Sequence, residues 1–467
     1  MNKGRFLKEL DPKVKTNIKN SIYDASASAG ALGLAETYFP AFGLFLHATS
    51  LQIGILTALP AFFSAFTQLF SLKALNFVPS RKFLIVTGTQ LQAIILIPIL
   101  LLPFFFKDST DAIPLLICLI MLHQGALGFT VPIWNSLIGD LIPAHIRGRY
   151  FGLRNQMSGI TSFIGMLLAG ATLSYFSKLE QTVWGFFIIF LLAVACRIIS
   201  AKYVSKYEDP IHEINESAYF SLWQFITRVR YANFTKFVIF AAIIQGGAAF
   251  SAPYFTVYML RDLKMPYMEY TFAIATPTVV QVFALQIWGM LVDRFGSKKI
   301  LTLCSFGVGI NPLLWLFSSN IGFIIFVQIF SGLVWSGFNL GVSTFLFDAV
   351  TPPKRARCAA YQSLVQGSFV LLGSLLGGYT SQHLPLEYNF YLFTWTPISP
   401  LLIIFAISGI IRLMTAIVFR KLFKEVRDVE KTRAIKLLFY FFPFKETFNP
   451  ILTGFSKSKR HEENSDE

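Results

Sequence analysis

Twelve apolar stretches recur along the chain, each close to the length a helix needs to cross a bilayer. They fall at 22–47, 51–72, 83–106, 112–138, 152–177, 182–203, 234–260, 270–292, 299–318, 321–347, 359–381 and 397–419. About 20 apolar residues suffice for one crossing. Lone strands in lipid would leave backbone groups unpaired, so helix is the element expected throughout. The 467 residues are 54% hydrophobic and only 14% charged, more apolar surface than a water-soluble fold could hide. The expectation is an all-α integral membrane protein with twelve transmembrane helices.

The chain also repeats itself. A shift of 208 positions lays Asp140, Arg147 and Arg149 on Asp348, Arg355 and Arg357. The same shift lays Gly159, Gly165 and Gly170 on Gly367, Gly373 and Gly378, with Leu167 and Leu168 on Leu375 and Leu376. Gly33 precedes Pro40 by seven residues in the first span, as Gly246 precedes Pro253 in the seventh. CRIISA (Cys196–Ala201) in span 6 mirrors IRLMTA (Ile411–Ala416) in span 12. These matches keep their order, which divides the chain into two six-helix halves, 1–203 and 234–421. A central linker, 204–233, joins them, and a basic tail, 422–467, follows. Two like halves that rock about a shared site are the usual architecture of a transporter.

Charge fixes the expected orientation. With a cytoplasmic N-terminus, about 34 of the 40 Lys and Arg lie on cytoplasmic segments. Lys107, Lys178, Arg261 and Lys264 lie opposite, and Arg197 and Arg412 sit within helices. The asymmetry follows the positive-inside rule, which puts both termini in the cytoplasm, with the plasma or inner membrane as the setting. The net charge of +15 is then a topology signal whose partner is anionic lipid, not nucleic acid. The stretch Arg433–Phe444 is too short to span and suits an interfacial helix.

Between spans 8 and 9 runs GMLVDRFGSKK, Gly289 to Lys299, and the D-x(6)-R-x-R elements follow spans 4 and 10. On these motifs the chain resembles the major facilitator superfamily over roughly residues 20 to 420. The resemblance implies loops that latch the cytoplasmic side shut while the protein faces outward. The gating residues would be Gly289, Asp293, Arg294, Gly296, Lys298 and Lys299, with Asp140, Arg147, Arg149, Asp348, Arg355 and Arg357. Asp293 and the Arg355/Arg357 pair are expected in one latch; the alternative is loop charges that only set topology. Gly289 would permit close approach and Gly296 a left-handed turn. In the first half Leu72, Asn76 and Pro79 stand opposite Gly289, Asp293 and Gly296, so the acidic partner is missing there.

Ionisable groups within spans are costly and are functional candidates by default. Glu36 lies about fourteen residues into the first span, between Gly33 and Pro40, where a break in the helix would free backbone groups. Desolvation favours its protonated form, as a proton-coupling carboxyl needs. It would couple a proton or ion, contact substrate, or merely join two helices. By the resemblance, helices 1, 4, 7 and 10 line a central cavity. His123, Gln124, Gln245, Trp335 and Asn339, with Gln281 on helix 8, would then offer hydrogen bonds and stacking surface to a small solute, unless they serve as interhelical glue. The same resemblance makes helices 6 and 12 peripheral, so Arg197 and Arg412 are expected to snorkel to headgroups. With no basic residue recognised at cavity depth, a neutral, zwitterionic or cationic solute is favoured over a strong anion.

The sequence therefore reads as a secondary active transporter of a small polar or amphiphilic solute, monomeric, needing no cofactor beyond a proton or other ion gradient. Efflux or flipping of an amphiphilic drug or lipid-like molecule is the alternative within transport. A transport-inactive sensor or assembly partner is the alternative outside it. No nucleotide-binding loop, zinc motif or nucleophile elbow suggests an enzyme.

Overall fold

In a computed structural model the described residues are 11–210 and 233–429, with brief breaks at 76, 79, 107–108, 144–145, 351–354, 386–387, 391–392, 396 and 428. Most of the expected linker and tail, including Arg433–Phe444, lies outside them, as do Asn76 and Pro79. The described residues form twelve long helical segments. In the first half these are α1 (Pro12–Leu34, resumed at Phe39–Phe45), α2 (Ser50–Ala74), α3 (Arg81–Phe105), α4 (Ser109–Leu141), α5 (Arg147–Lys178) and α6 (Thr182–Val204). In the second half they are α7 (Asn233–Ala249, resumed at Ala252–Val257 and a π turn Tyr258–Asp262), α8 (Tyr267–Phe295) and α9 (Ser297–Leu314). The last three are α10 (Ile321–Ala349), α11 (Arg355–His383) and α12 (Leu401–Phe419). Ten are long and apolar enough to cross a membrane; α1 and α9 are not among them. One short antiparallel hairpin, Tyr388–Phe390 with Phe393–Trp395, interrupts the otherwise helical chain between α11 and α12.

Local chemistry sets the helix boundaries. Asp11 caps α1 by accepting from the Lys13 N–H at 2.7 Å, with Pro12 in the first turn. This cap starts α1 ten residues before the apolar stretch begins. Ser80 caps α3 through the Phe83 N–H at 3.1 Å. Gly296 separates α8 from α9 at φ +87°, a backbone that a side chain at that position would strain.

The helix neighbours repeat between the halves. α1 packs on α5 and α6 as α7 packs on α11 and α12. α4 packs on α2 and α3 as α10 packs on α8 and α9, and α3·α6 matches α9·α12. Two extensive contacts cross between halves, α2 with α11 and α5 with α8. The glycine ladders divide their work between both kinds of contact. A Cβ at Gly165 would lie 3.0 Å from the Gly30 carbonyl oxygen of α1, and one at Gly373 would collide with the Gly246 carbonyl of α7. Gly170 instead faces Thr271 on α8, while Gly378 faces Leu51 on α2. So the ladders seat α5 and α11 within their own halves as well as against the opposite one. Close approach through small residues is what membrane helices have in place of a hydrophobic drive.

Take the face from which α1 starts as the near face. The largest buried apolar cluster lies toward the far face and draws on both halves, with Phe42, Phe186 and Phe190 joined to Tyr254, Trp315 and Phe405. Two smaller clusters lie toward the near face and are confined to one half each. One surrounds Ile138 and Tyr150, the other Phe237, Phe338 and Phe345. The halves are therefore joined at the far end.

Polar bonds reinforce that junction. The Tyr38 hydroxyl meets the Met166 carbonyl at 2.9 Å and Thr271 Oγ1, on the other half, at 2.6 Å. Ser374 Oγ donates to the Gly54 carbonyl at 2.9 Å, and Arg261 Nη1 to Ser50 Oγ at 3.0 Å.

Candidate functional site

The break in α1 falls where the sequence places it. Ala35 leaves helical geometry at φ −121°, a single 3-10 turn Glu36–Tyr38 follows, and Pro40 restarts the helix. The turn aims the Glu36 carboxylate into the first half, where it is buried. Three neighbours meet it there. Arg197 Nη2 donates to Oε1, His123 Nε2 lies 3.4 Å from the same oxygen, and Gln124 Nε2 lies 3.3 Å from Oε2. Outer contacts fix the neighbours in turn. Arg197 Nη1 donates to Ser28 Oγ at 2.8 Å, and His123 Nδ1 lies 3.2 Å from the Gln92 carbonyl.

Arg197 therefore does not snorkel. It is 3% exposed and points inward, because α6 packs on α1 and α3 and a carboxylate inside the half satisfies the guanidinium better than distant headgroups. The sequence reading that left cavity depth without a base is corrected by the same contact. Arg412 in α12 is also buried, at 2%. Its partners are the Val308 and Ala248 carbonyls at 3.1 and 3.2 Å and the Ser251 and Ser408 hydroxyls, each at 2.7 Å. Among the described residues no carboxylate pairs with it.

A second polar group lies nearer the near face. Asp24 accepts from Ser200 Oγ at 2.6 Å and from the Tyr207 hydroxyl at 3.0 Å, with Arg154 Nη2 at 3.8 Å. Burial and the Asp24 charge push the Tyr207 phenol, past the end of α6, well above its ordinary range, so it stays a donor. The Arg154 guanidinium stacks over the Trp134 ring at 4.1 Å. Asp24 and Arg154 both fall inside apolar stretches. They carried the same intramembrane-charge signal as Glu36, masked by the polar residues close by on the chain.

The remaining cavity candidates are not assembled into one site. Gln245 and Gln281 are half-buried, Trp335 packs edge-on against Phe338 at 5.6 Å, and Asn339 is exposed. Among the described residues no hydrogen bond or ring contact joins these four to one another.

The family model described as the Major Facilitator Superfamily matches residues 25–260 and again 237–455. The chain belongs to the Major Facilitator Superfamily. Among its relatives are a proton-coupled antiporter flippase, LtaA, of Staphylococcus haemolyticus (strain JCSC1435), and an efflux pump, azaK, of Aspergillus niger (strain ATCC 1015). LtaA is 24% identical over 56% of this chain and 64% of its own length. azaK is 30% identical over 22% of this chain and 21% of its own. The chain thus covers less than two thirds of either relative. The crystal structure of the nucleoside transporter NupG superposes with a TM-score of 0.63 at 13% identity, covering 88% of this chain and 98% of that one. At that identity it shows the shared fold.

The superfamily loop motifs take specific roles on the near face. Arg147 donates to the Ile142 carbonyl at 3.0 Å and to the Gly139 carbonyl, closing the end of α4. Arg355 does the same for α10, with the Val350 and Phe347 carbonyls at 3.0 and 2.9 Å. A cation at the last turn answers the exposed carbonyls and the helix dipole. The Arg355–Asp293 latch is accordingly absent in this conformation. Asp293 is exposed and has no partner among the described residues, and the Arg357 side chain lies outside them. Arg149 is exposed, and Arg294 and Lys299 lie near the Phe295 ring. A Cβ on Gly289 would meet nothing within 4 Å, so close approach is not its function here.

Acidic residues beyond the expected motifs complete both halves. Asp209, after α6, accepts from Ser80 Oγ at 2.6 Å and the Lys82 N–H at 3.2 Å. Glu425, after α12, accepts from the Lys298 N–H at 2.8 Å. Arg81 pairs with Asp140 at 2.6 Å, and Arg427 with Asp348 at 2.9 Å. Asp140 and Asp209 in the first half thus have counterparts in Asp348 and Glu425 in the second.

Proposed function

We propose that this protein is a secondary active transporter that moves a small polar or amphiphilic solute by alternating access between two six-helix halves, driven by proton exchange at Glu36. Membership of the superfamily supports the transport reading. The observation that carries the proton role is the carboxylate at the break in α1, held by both Arg197 and His123. Ionised Glu36 balances the Arg197 charge; a proton on Glu36 would release Arg197 toward another acceptor and leave His123 a competing base. Tyr38, two residues on in the same turn, is bonded to Thr271 on the other half. A change at the carboxylate is thereby placed one turn from the contact that holds the far side closed. We read the near face as cytoplasmic from the charge pattern, and the apolar cluster shared by both halves at the far face supports a cytoplasm-facing arrangement.

The test is purified protein in liposomes with an internal pH dye and an imposed pH gradient. Solutes that drive proton movement in the wild type should fail to do so with Glu36→Gln, while solute exchange without a gradient persists. Full coupling in the variant would exclude Glu36 as the proton site. The likeness to an antiporter flippase and an efflux pump favours a second reading, export or flipping of an amphiphile. A fluorescent-lipid translocation assay in the same liposomes separates the two.

A further inference from the structure

Helices α1 and α6 pack along a seam, and two tyrosines mark its near-face end. Tyr23 opens the first apolar stretch, and Tyr203 lies at the close of the span Thr182–Val204. Their ring centroids stand 4.9 Å apart at an interplanar angle of 41°. Each ring carries an ammonium from further out along the chain. Lys19 Nζ lies 5.8 Å from the Tyr23 centroid, and Lys206 Nζ lies 5.0 Å from that of Tyr203. Cation, ring, ring and cation thus form one stack across the two helices.

Buried groups beneath the stack hold it in place. Asn17 and Asn20 of α1 are 3% and 8% exposed, and both reach the turn after α6. Asn20 Nδ2 donates to the Lys206 carbonyl at 3.5 Å. Asn17 accepts from the Glu208 N–H at 3.3 Å and donates to Glu208 Oε2 at 3.4 Å, which occupies the nearest acid along the chain. Asp209 is taken up by Ser80 and the Lys82 N–H. Among the described residues no carboxylate pairs with Lys19, Lys206 or their exposed neighbours Lys15 and Lys202. The fold itself does not require the stack. Aligned through Gly33 and Gly246, Lys19 falls on Ala232 and Tyr23 on Lys236; aligned through Arg197 and Arg412, Tyr203 falls on Val418. The corresponding seam of α7 with α12 packs in the same way without an aromatic pair.

Two ammoniums and two phenol hydroxyls are donors to oxygen, and their unbalanced positive charge selects an anion. Their depth selects one that the membrane delivers, since tyrosines at the ends of spans sit at headgroup level. One turn inward of Tyr203 on α6, Ile199 is 46% exposed and offers apolar surface to an acyl chain. A phosphodiester has two free oxygens, one for each lysine. A zwitterionic headgroup brings its own cation to the phosphate and gains less.

We propose that the near-face end of the α1–α6 seam binds one anionic phospholipid, its phosphodiester bridging the two helices through Lys19, Tyr23, Tyr203 and Lys206. The lipid clasps the helices that carry Glu36 and Arg197, and it does so whether or not Glu36 exchanges a proton.

Full-length protein in detergent is titrated with phosphatidylglycerol and, separately, with phosphatidylcholine, and bound lipid is counted by native mass spectrometry. The wild type should retain one phosphatidylglycerol under conditions that strip phosphatidylcholine. Lys19→Gln and Lys206→Gln should each weaken that retention about fivefold, and the double variant about thirtyfold, the weight of basic residues near an anionic headgroup. Tyr203→Phe, which keeps the ring and removes the hydroxyl, should weaken it about threefold. Lys13→Gln, on another face of α1, and Lys178→Gln, at the far face, should change nothing. Without lipid every variant should keep the unfolding midpoint of the wild type; added phosphatidylglycerol should raise that midpoint in the wild type and not in the double variant. Equal retention of phosphatidylcholine overturns the proposal. So does full retention of phosphatidylglycerol by the double variant, or a loss as large with Lys13→Gln as with Lys19→Gln.

Discussion

Arg197 and Arg412 occupy the same place in two copies of one motif, and the protein uses them differently. Both are buried at the interface of the last helix of a half with its first. Arg197 meets a carboxylate, whereas Arg412 meets two carbonyls and two serine hydroxyls. The residue opposite Glu36, when the Gly–Pro pairs are aligned, is Ala249. The guanidinium is thus the shared, architectural element, bridging two helices in each half. The carboxylate is the addition, and it turns one bridge into a buried ion pair.

The largest predicted effect tests this contrast directly. Arg197→Met strands the Glu36 charge in the interior and should cost about 3–5 kcal/mol, measured as loss of unfolding free energy in detergent. Arg412→Met strands only polar groups able to bond locally and should cost clearly less. The double variant Glu36→Gln/Arg197→Met should recover much of the first loss. Equal costs for the two arginine variants, with no recovery in the double, would show that the halves do not differ as described.

A second pair sharpens the comparison where the copies agree. Arg147→Ala and Arg355→Ala each remove a helix-end cap and should cost about 1–2 kcal/mol apiece. The two losses should be alike within error. If Arg355→Ala instead left stability intact and selectively altered labelling of near-face cysteines, a latch role would be restored.

Tyr38→Phe should remove about 1 kcal/mol from the junction between halves. The conformational equilibrium should then move about fivefold toward the form open at the far face. Double electron–electron resonance between spin labels on α2 and α11 would read that shift, and an unchanged distance distribution would deny Tyr38 this part. The smallest effect is Gly289→Ala, which enters open space and should change stability by less than about 0.5 kcal/mol.

Much of the helical frame was legible because bilayer-length apolar runs leave few alternatives. The observed α2, α3, α4 and α6 end within a few residues of their apolar stretches. The kink at Glu36 was legible as well, since Gly33 and Pro40 bracket it. Arg197 was misread. Its position along α6 is visible in the sequence, but the direction its side chain takes depends on how α6 packs against α1 and α3. Asp24 and Arg154 were overlooked for a related reason: a charge near a helix end looks like a loop charge until depth is known. Asp209 and Glu425 gave no local signal, because the N-terminal turns they cap lie 127 residues away in the chain.

The sequence by itself determined that this chain lives in a bilayer, is helical, is duplicated, and carries a carboxylate at a broken helix. Those properties follow from composition, period and local propensity, which act within a few residues. Only the tertiary structure decided which charges meet. It paired Glu36 with Arg197, gave Arg412 no acid among the described residues and turned Arg355 onto its own helix end. Pairing is a matter of helix rotation and register across long sequence separations, and a single chain's letters do not encode those directly.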